Sequence, residues 1–301
     1  MESRGRGRFA TIAFVRRVWL ALLAIAGLAA IWLGFAGADE TAVAPKPDEP
    51  IKKAVAAGRH LRIEGPRGPI HVWIPAGYRS DTGATLLYVH GYFDNADTAW
   101  IGHQIPEQFA MAGLNALLIA PEAPIQQKIP VNYPDLGELI RIVEDASGTL
   151  RGAAFTGVIG HSGAFRTIQA WLDEPTLDHI TMIDAMYGEE ELIAAWLRAS
   201  PWRRLITVGE DTLLGTESFA SKFPADTFTV DRVPPAYEVW PEQARTAKHL
   251  YVRAQFLHMP LVTDAIVLPS LLRLLPVERL GDLPWQLPLG TLQPIIDATP
   301  D

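Results

Sequence analysis

Apolar residues along this chain fall into two rhythms. Unbroken apolar runs of strand length occur at ATLLYVH (84–90), NALLIA (115–120), AAFTGVIG (153–160), HITMID (179–184), RLITVG (204–209) and LYVRAQF (250–256). Between and after them, PEQFAMAG (106–113), LGELIRIVEDA (136–146), EEELIAAWLRA (189–199), PEQARTAKH (241–249) and LVTDAIVLPSLLRLL (261–275) repeat their apolar positions at helical spacing. Earlier, 60–64 and 70–74 flank Gly65-Pro66-Arg67-Gly68, which predicts a hairpin. Continuous apolar strands alternating with one-sided helices predict an α/β fold: a mostly parallel central sheet with helices on both faces. Such sheets place their chemistry beyond the carboxyl ends of the strands.

The N-terminus follows a third pattern. Arg4, Arg6, Arg8, Arg16 and Arg17 precede an uncharged run, VWLALLAIAGLAAIWLGFAGA (18–38). At about 1.5 Å per residue, such a helix just spans a bilayer. The flanking arginines keep its start in the cytoplasm and deliver the body outside, to the periplasm or the outer face of an inner membrane. Ala36-Gly37-Ala38 suits cleavage, whereas the length of the run suits an anchor, and both fates stay open. Arg16-Arg17 leaves the general and twin-arginine export routes open as well. The expected organisation is a signal peptide or anchor (1–38), a Pro-containing linker (39–58), a catalytic domain (59–280) and a Pro-rich tail (281–301).

Charge and composition narrow the chemistry. The formal net charge is −8 and residues 1–38 carry +4, which leaves −12 on the rest. An acidic body makes nucleic acid an unsuitable partner. The chain has no cysteine, which excludes disulfides and thiol catalysis. Glu189, Glu190 and Glu191 open a helix, where negative charge suits the dipole, and are not read as a metal site.

The most informative motif is Gly160-His161-Ser162-Gly163-Ala164. It follows an apolar strand and precedes FRTIQAWLDE, which has helical spacing. Strand, sharp turn and helix are the context in which G-x-S-x-G exposes a nucleophilic serine, with small neighbours relieving the strained turn. Ser162 is therefore the expected nucleophile. The Gly163 N–H points where a carbonyl oxygen would gain charge. His90-Gly91-Tyr92-Phe93 leaves the strand 84–90, and the Tyr92 N–H is the expected second oxyanion donor. His90 is expected to hydrogen-bond its loop, and His161 to point away from the site.

The base should come late and beyond a strand. His258 meets this condition, just before Met259-Pro260, whereas His249 lies at the wrong end of its strand. The acid is Asp184 or Asp211. Asp184 ends a buried strand, where an unpartnered carboxylate is costly, and is favoured. Asp211 lies in a polar Glu-Asp-Thr turn one strand later.

These features resemble the α/β-hydrolase superfamily over roughly residues 60 to 278. HGYFDNADTAW, GHSGAFRT and IDAMYG are similar to poorly characterised bacterial secreted hydrolases. The resemblance implies an esterase-like serine hydrolase that works through an acyl-enzyme on a small-molecule or lipid-like acyl substrate, without metal or organic cofactor. Acid placement at Asp184 corresponds to a lipase-like variant of that fold. A peptidase or amidase acting on cell-envelope material, and a non-catalytic binding domain, are the alternatives. Trp100, Trp171, Trp196, Trp202 and Trp240 are read as core or as an acyl pocket, and 227–242 as a lid or a surface crossing.

Overall fold

A computed structural model describes residues 49–188, 190–234 and 240–281. The 1–38 leader, residues 39–48 of the 39–58 linker, Glu189, 235–239 and the tail from 282 onward lie outside the described residues. No helix among the described residues is long and apolar enough to cross a membrane.

The strands are β1 (Arg59–Gly65), β2 (Gly68–Ile74), β3 (Ala84–Val89), β4 (Ala116–Pro121), β5 (Thr156–His161), β6 (Leu177–Ile183), β7 (Arg204–Gly209), β8 (Thr227–Val230) and β9 (His249–Arg253). They form one sheet in the order β1-β2-β4-β3-β5-β6-β7-β9-β8. The β1–β2 hairpin is antiparallel, and β2 meets β4 antiparallel. Every pairing from β4 through to β8 is parallel. The predicted α/β fold with a mostly parallel sheet is therefore the one observed.

The helices are α1 (Glu49–Ala57), α2 (Ala96–Gly102), α3 (Ile105–Ala112), α4 (Leu136–Ser147), α5 (Phe165–Ala170), α6 (Glu190–Arg198), α7 (Leu213–Lys222), α8 (Glu242–Thr246), α9 (Pro260–Thr263) and α10 (Val267–Leu272). Local signals set their ends. In α4 the Asp135 carboxylate accepts from the Glu138 N–H, Leu136, Leu139, Ile140 and Val143 form one buried stripe, and Gly148 stops the helix in the left-handed region. One core layer joins Leu86 and Leu118 to Phe109, Leu261 and Leu268; the other joins Leu87 and Ile119 to Leu139, Ile168 and Trp196. Adjacent strand residues thus feed opposite faces.

Several expectations are corrected. The stretch 49–57 is helix rather than linker, because Ile51 gains a buried seat in the core layer that also holds Trp73. The closing helix is broken into α9 and α10. Pro269 cannot donate to residue 265 and its ring opposes that carbonyl, and Ala265 adopts φ +57°. The segment 227–242 begins as edge strand β8 paired with β9, and 235–239 lie outside the described residues. Trp100, Trp171, Trp196 and Trp240 are buried core, and Trp202 is exposed just before β7, so the core alternative holds for four of the five tryptophans.

Candidate active site

Ser162 lies immediately beyond β5 with φ +52°, a left-handed backbone that a non-glycine residue adopts only under constraint. Its neighbours show why the motif is made of small residues. A Cβ on Gly160 would stand 2.6 Å from Ile168 and 2.9 Å from the Ala164 Cβ. One on Gly163 would meet the Tyr92 ring at 2.5 Å. One on Gly91 would stand 2.8 Å from the Ser162 Cβ. The loop after β3 therefore passes directly against the serine, and Tyr92 packs on Gly163. The two residues expected to supply oxyanion N–H groups adjoin one another.

His258 follows β9, and its Nδ1–H donates to Asp184 Oδ2 at 2.6 Å. Asp211 Oδ2 stands further off, 3.5 Å from the same nitrogen. The structure thus pairs His258 with the favoured acid and keeps the other nearby. Asp184 is fully buried just past β6, with φ +48°. Its Oδ1 accepts from the N–H of Glu210 and from the N–H and hydroxyl of Thr212. Its Oδ2 also accepts from the Asp211 N–H. The turn after β7, which carries the rival acid, is the cradle that holds Asp184. Burial opposes the charge on Asp184, but the His258 hydrogen bond and the amides of Thr212 and Glu210 outweigh it and hold the carboxyl well below its usual range.

The imidazole is tuned in the opposite direction. Burial pulls the His258 pKa down, yet the hydrogen bond to Asp184 and the charges of Asp184, Asp211 and Glu210 raise it overall. Burial, then Asp211 and Asp184, push Glu210 up to about 7. Asp184, Asp211 and His258 lie close enough together to surround a cation. Both Asp184 oxygens are already committed to protein donors, so the donor set fits an imidazole partner better than a metal ion.

Two further groups were missed in the sequence. His161 does not point away: its Nε2–H donates to the His258 carbonyl at 3.2 Å, and the two rings lie 4.5 Å apart. Burial, with the charges of His258 and His103, pushes its pKa well down, so it stays neutral beside His258. The Tyr187 phenol approaches the Ser162 hydroxyl, and burial with the Asp184 charge raises it to about 12. The position of Tyr187, three residues past Asp184 in a strand-end loop, was its only sequence signal. His90 behaves as expected, with Nδ1–H donating to the Gly91 carbonyl and Nε2 accepting from the Ala123 N–H. His249 is buried at the start of β9, away from this cluster.

No family model matches the sequence, and no curated protein matches it. Solved structures do. A protein named FAE superposes with TM-score 0.50 at 14% identity, covering 77% of this chain and 94% of that one. The feruloyl esterase module of Clostridium thermocellum, complexed with sinapinate, gives 0.49 at 13% identity, with coverages of 77% and 94%. Esterase B from Lactobacillus rhamnosis, inhibited by a tributyrin phosphonate, gives 0.49 at 10% identity, with coverages of 83% and 93%. The fold is that of the α/β-hydrolases.

Proposed function

We propose that the chain is a serine hydrolase of carboxylic esters or related acyl compounds. One juxtaposition carries this reading. A serine in strained left-handed backbone sits at the tip of β5, and a histidine from beyond β9, oriented by a buried aspartate at 2.6 Å, packs on the residue next to it.

The roles follow from which atoms are already occupied. His258 Nδ1 is held by Asp184, which fixes the tautomer that leaves Nε2 as the basic nitrogen. Nε2 takes the Ser162 proton as Oγ bonds to the acyl carbon. The carbonyl oxygen gains charge and is held by the N–H groups of Tyr92 and Gly163. When the tetrahedral species collapses, His258 returns the proton to the leaving alkoxide. Water then gives its proton to His258, attacks the acyl-enzyme and releases the acid, restoring the serine. Asp184 stays ionised throughout and stabilises the transient imidazolium.

The test is labelling with a fluorophosphonate probe, alongside turnover of p-nitrophenyl esters. Wild type should label at Ser162. Ser162→Ala should abolish labelling and lower turnover by about 10³-fold or more. Unchanged turnover in that variant would remove Ser162 as nucleophile.

A further inference from the structure

Among the described residues, most of the large apolar side chains that face solvent lie beyond the carboxyl ends of the strands. Phe93 is 81% exposed and follows Tyr92; Leu214 is 81% exposed and lies three residues past Asp211. Leu257 and Met259, both exposed, flank His258, and half-exposed Tyr187 reaches Ser162. These residues come from four segments that follow β3, β6, β7 and β9, all beyond the carboxyl ends of the strands; Leu214 sits in the first turn of α7 and the others in loops. The loops also touch. A Cβ on Gly215 would stand 2.6 Å from the Met186 carbonyl, which sets the start of α7 beside the Tyr187 loop. The Phe93 N–H donates to the carbonyl of Ile125, another exposed apolar residue.

From this arrangement we infer that the acyl substrate is presented at the surface of a dispersed neutral lipid, and that this apolar rim docks the enzyme there. The inference rests on the hydrolase reading above and names its substrate class.

Two observations select that occupant. First, side chains as exposed as Phe93 and Leu214 are not the walls of a cleft around one small molecule. They gain burial only against an extended apolar surface. Second, the segments 91–95, 185–188, 210–215 and 255–260 contain no Lys or Arg, but they do hold Asp94, Glu210 and Asp211. Together with the acidic body, this opposes an anionic surface and suits a neutral or zwitterionic one. Of the other exposed apolar residues, Ile101 and Leu192 lie singly on α2 and α6, and Leu150 and Trp202 precede β5 and β7, at the opposite ends of their strands from the catalytic groups.

The experiment uses the full chain, so that every protein carries the same N-terminal segment. Tributyrin hydrolysis is followed below and above its solubility limit, and p-nitrophenyl acetate reports the dissolved reaction. The variants are Phe93→Asn, which suits the φ of +70° at that position, Leu214→Ser, their combination, and Leu150→Ser as control. Wild type should show a step in rate as the emulsion forms. The double variant should lose roughly tenfold or more of the emulsion rate, since burial of even one of its two apolar side chains is worth about that much. Its turnover of p-nitrophenyl acetate should stay within about twofold, and Leu150→Ser should match wild type. A smooth rate curve through the solubility limit, or an undiminished emulsion rate in both single variants and the double, overturns the inference while leaving the hydrolase reading intact. Equal loss on both substrates in folded single variants also overturns it, because the residues then act within the site. Absence of turnover in either form, with no labelling of Ser162, sinks both.

Discussion

Asp184 and Asp211 compete for one imidazole, and the contacts around them rank the two. Asp184 accepts five hydrogen bonds, one of them from His258, and an amide in its place would set its NH₂ group against N–H donors on either side. The His258 tautomer would lose its anchor. Asp184→Asn should lower kcat/KM by about 10³- to 10⁴-fold, the range for a lost orienting acid. Asp211→Asn removes only a charge at 3.5 Å and should cost less than about tenfold. The same variants test the pH dependence. His258 must be neutral to act as a base, and its pKa is raised from 6.5, so activity should fall as pH drops through a midpoint above 6.5. Asp211→Asn removes one of the charges that raise it, so that midpoint should move down. Rate profiles of both variants check this, and a larger loss in Asp211→Asn would exchange the roles of the two acids. At this scale the sequence was most legible where chemistry restricts residue choice. Ser162 stands in a motif, and His258 and Asp184 stand at strand ends. Tyr187 and the actual orientation of His161 were not legible, since both depend on where a loop carries a ring and no local pattern encodes that.

Elements whose apolar residues repeat cleanly were readable, and those set by capping or by a single break were not. Helix α2 is only seven residues long and rests on a capping box between Asn95 and Thr98 rather than on a long apolar stripe. Helix α7 buries little more than Thr216 and Phe219, too few positions to show a period. Strand β8 has three half-exposed residues and one exposed, and becomes visible only through its pairing with β9. That pairing has a distinctive clamp. His249, buried at the start of β9, reaches Thr207 of β7 at 2.9 Å and Thr227 of β8 at 2.8 Å. Burial pushes its pKa down to about 4. In the unfolded chain it titrates near 6.5, so between about 4 and 6.5 the unfolded state binds more protons. The stability it contributes is complete above pH 6.5 and is lost as pH falls through that window, on the order of 3 kcal/mol in all. His161 and His179, held neutral by burial, act in the same direction, so the informative quantity is the difference between proteins. Urea midpoints at pH 7 and pH 4.5 should converge in His249→Gln relative to wild type. An unchanged pH slope would mean that His249 is protonated in the folded state.

One sheet carries all of the chemistry proposed for the molecule. Its strands come from an alternation of strands and helices plus one hairpin, and the alternation was visible because strands buried on both faces must be apolar throughout. The place of β9 between β7 and β8 was not visible, because nothing local distinguishes which neighbour a buried strand will choose. The consequence of a single sheet is mechanical unity. Ser162, Asp184 and His258 follow β5, β6 and β9, so the site exists only while those strands keep their order. Leu86 and Leu87 test this, being neighbours in β3 that point into opposite layers, both fully buried. Replacement of either by Ala should cost about 2–5 kcal/mol. If the two layers are held by one sheet, both variants should move the same transition. Far-ultraviolet dichroism, the fluorescence of Trp73 and Trp100 in one layer and Trp171 and Trp196 in the other, and esterase activity should then be lost together. A Leu87→Ala protein that lost the signal of one layer while the other and the activity persisted would show two separable units where the fold requires one.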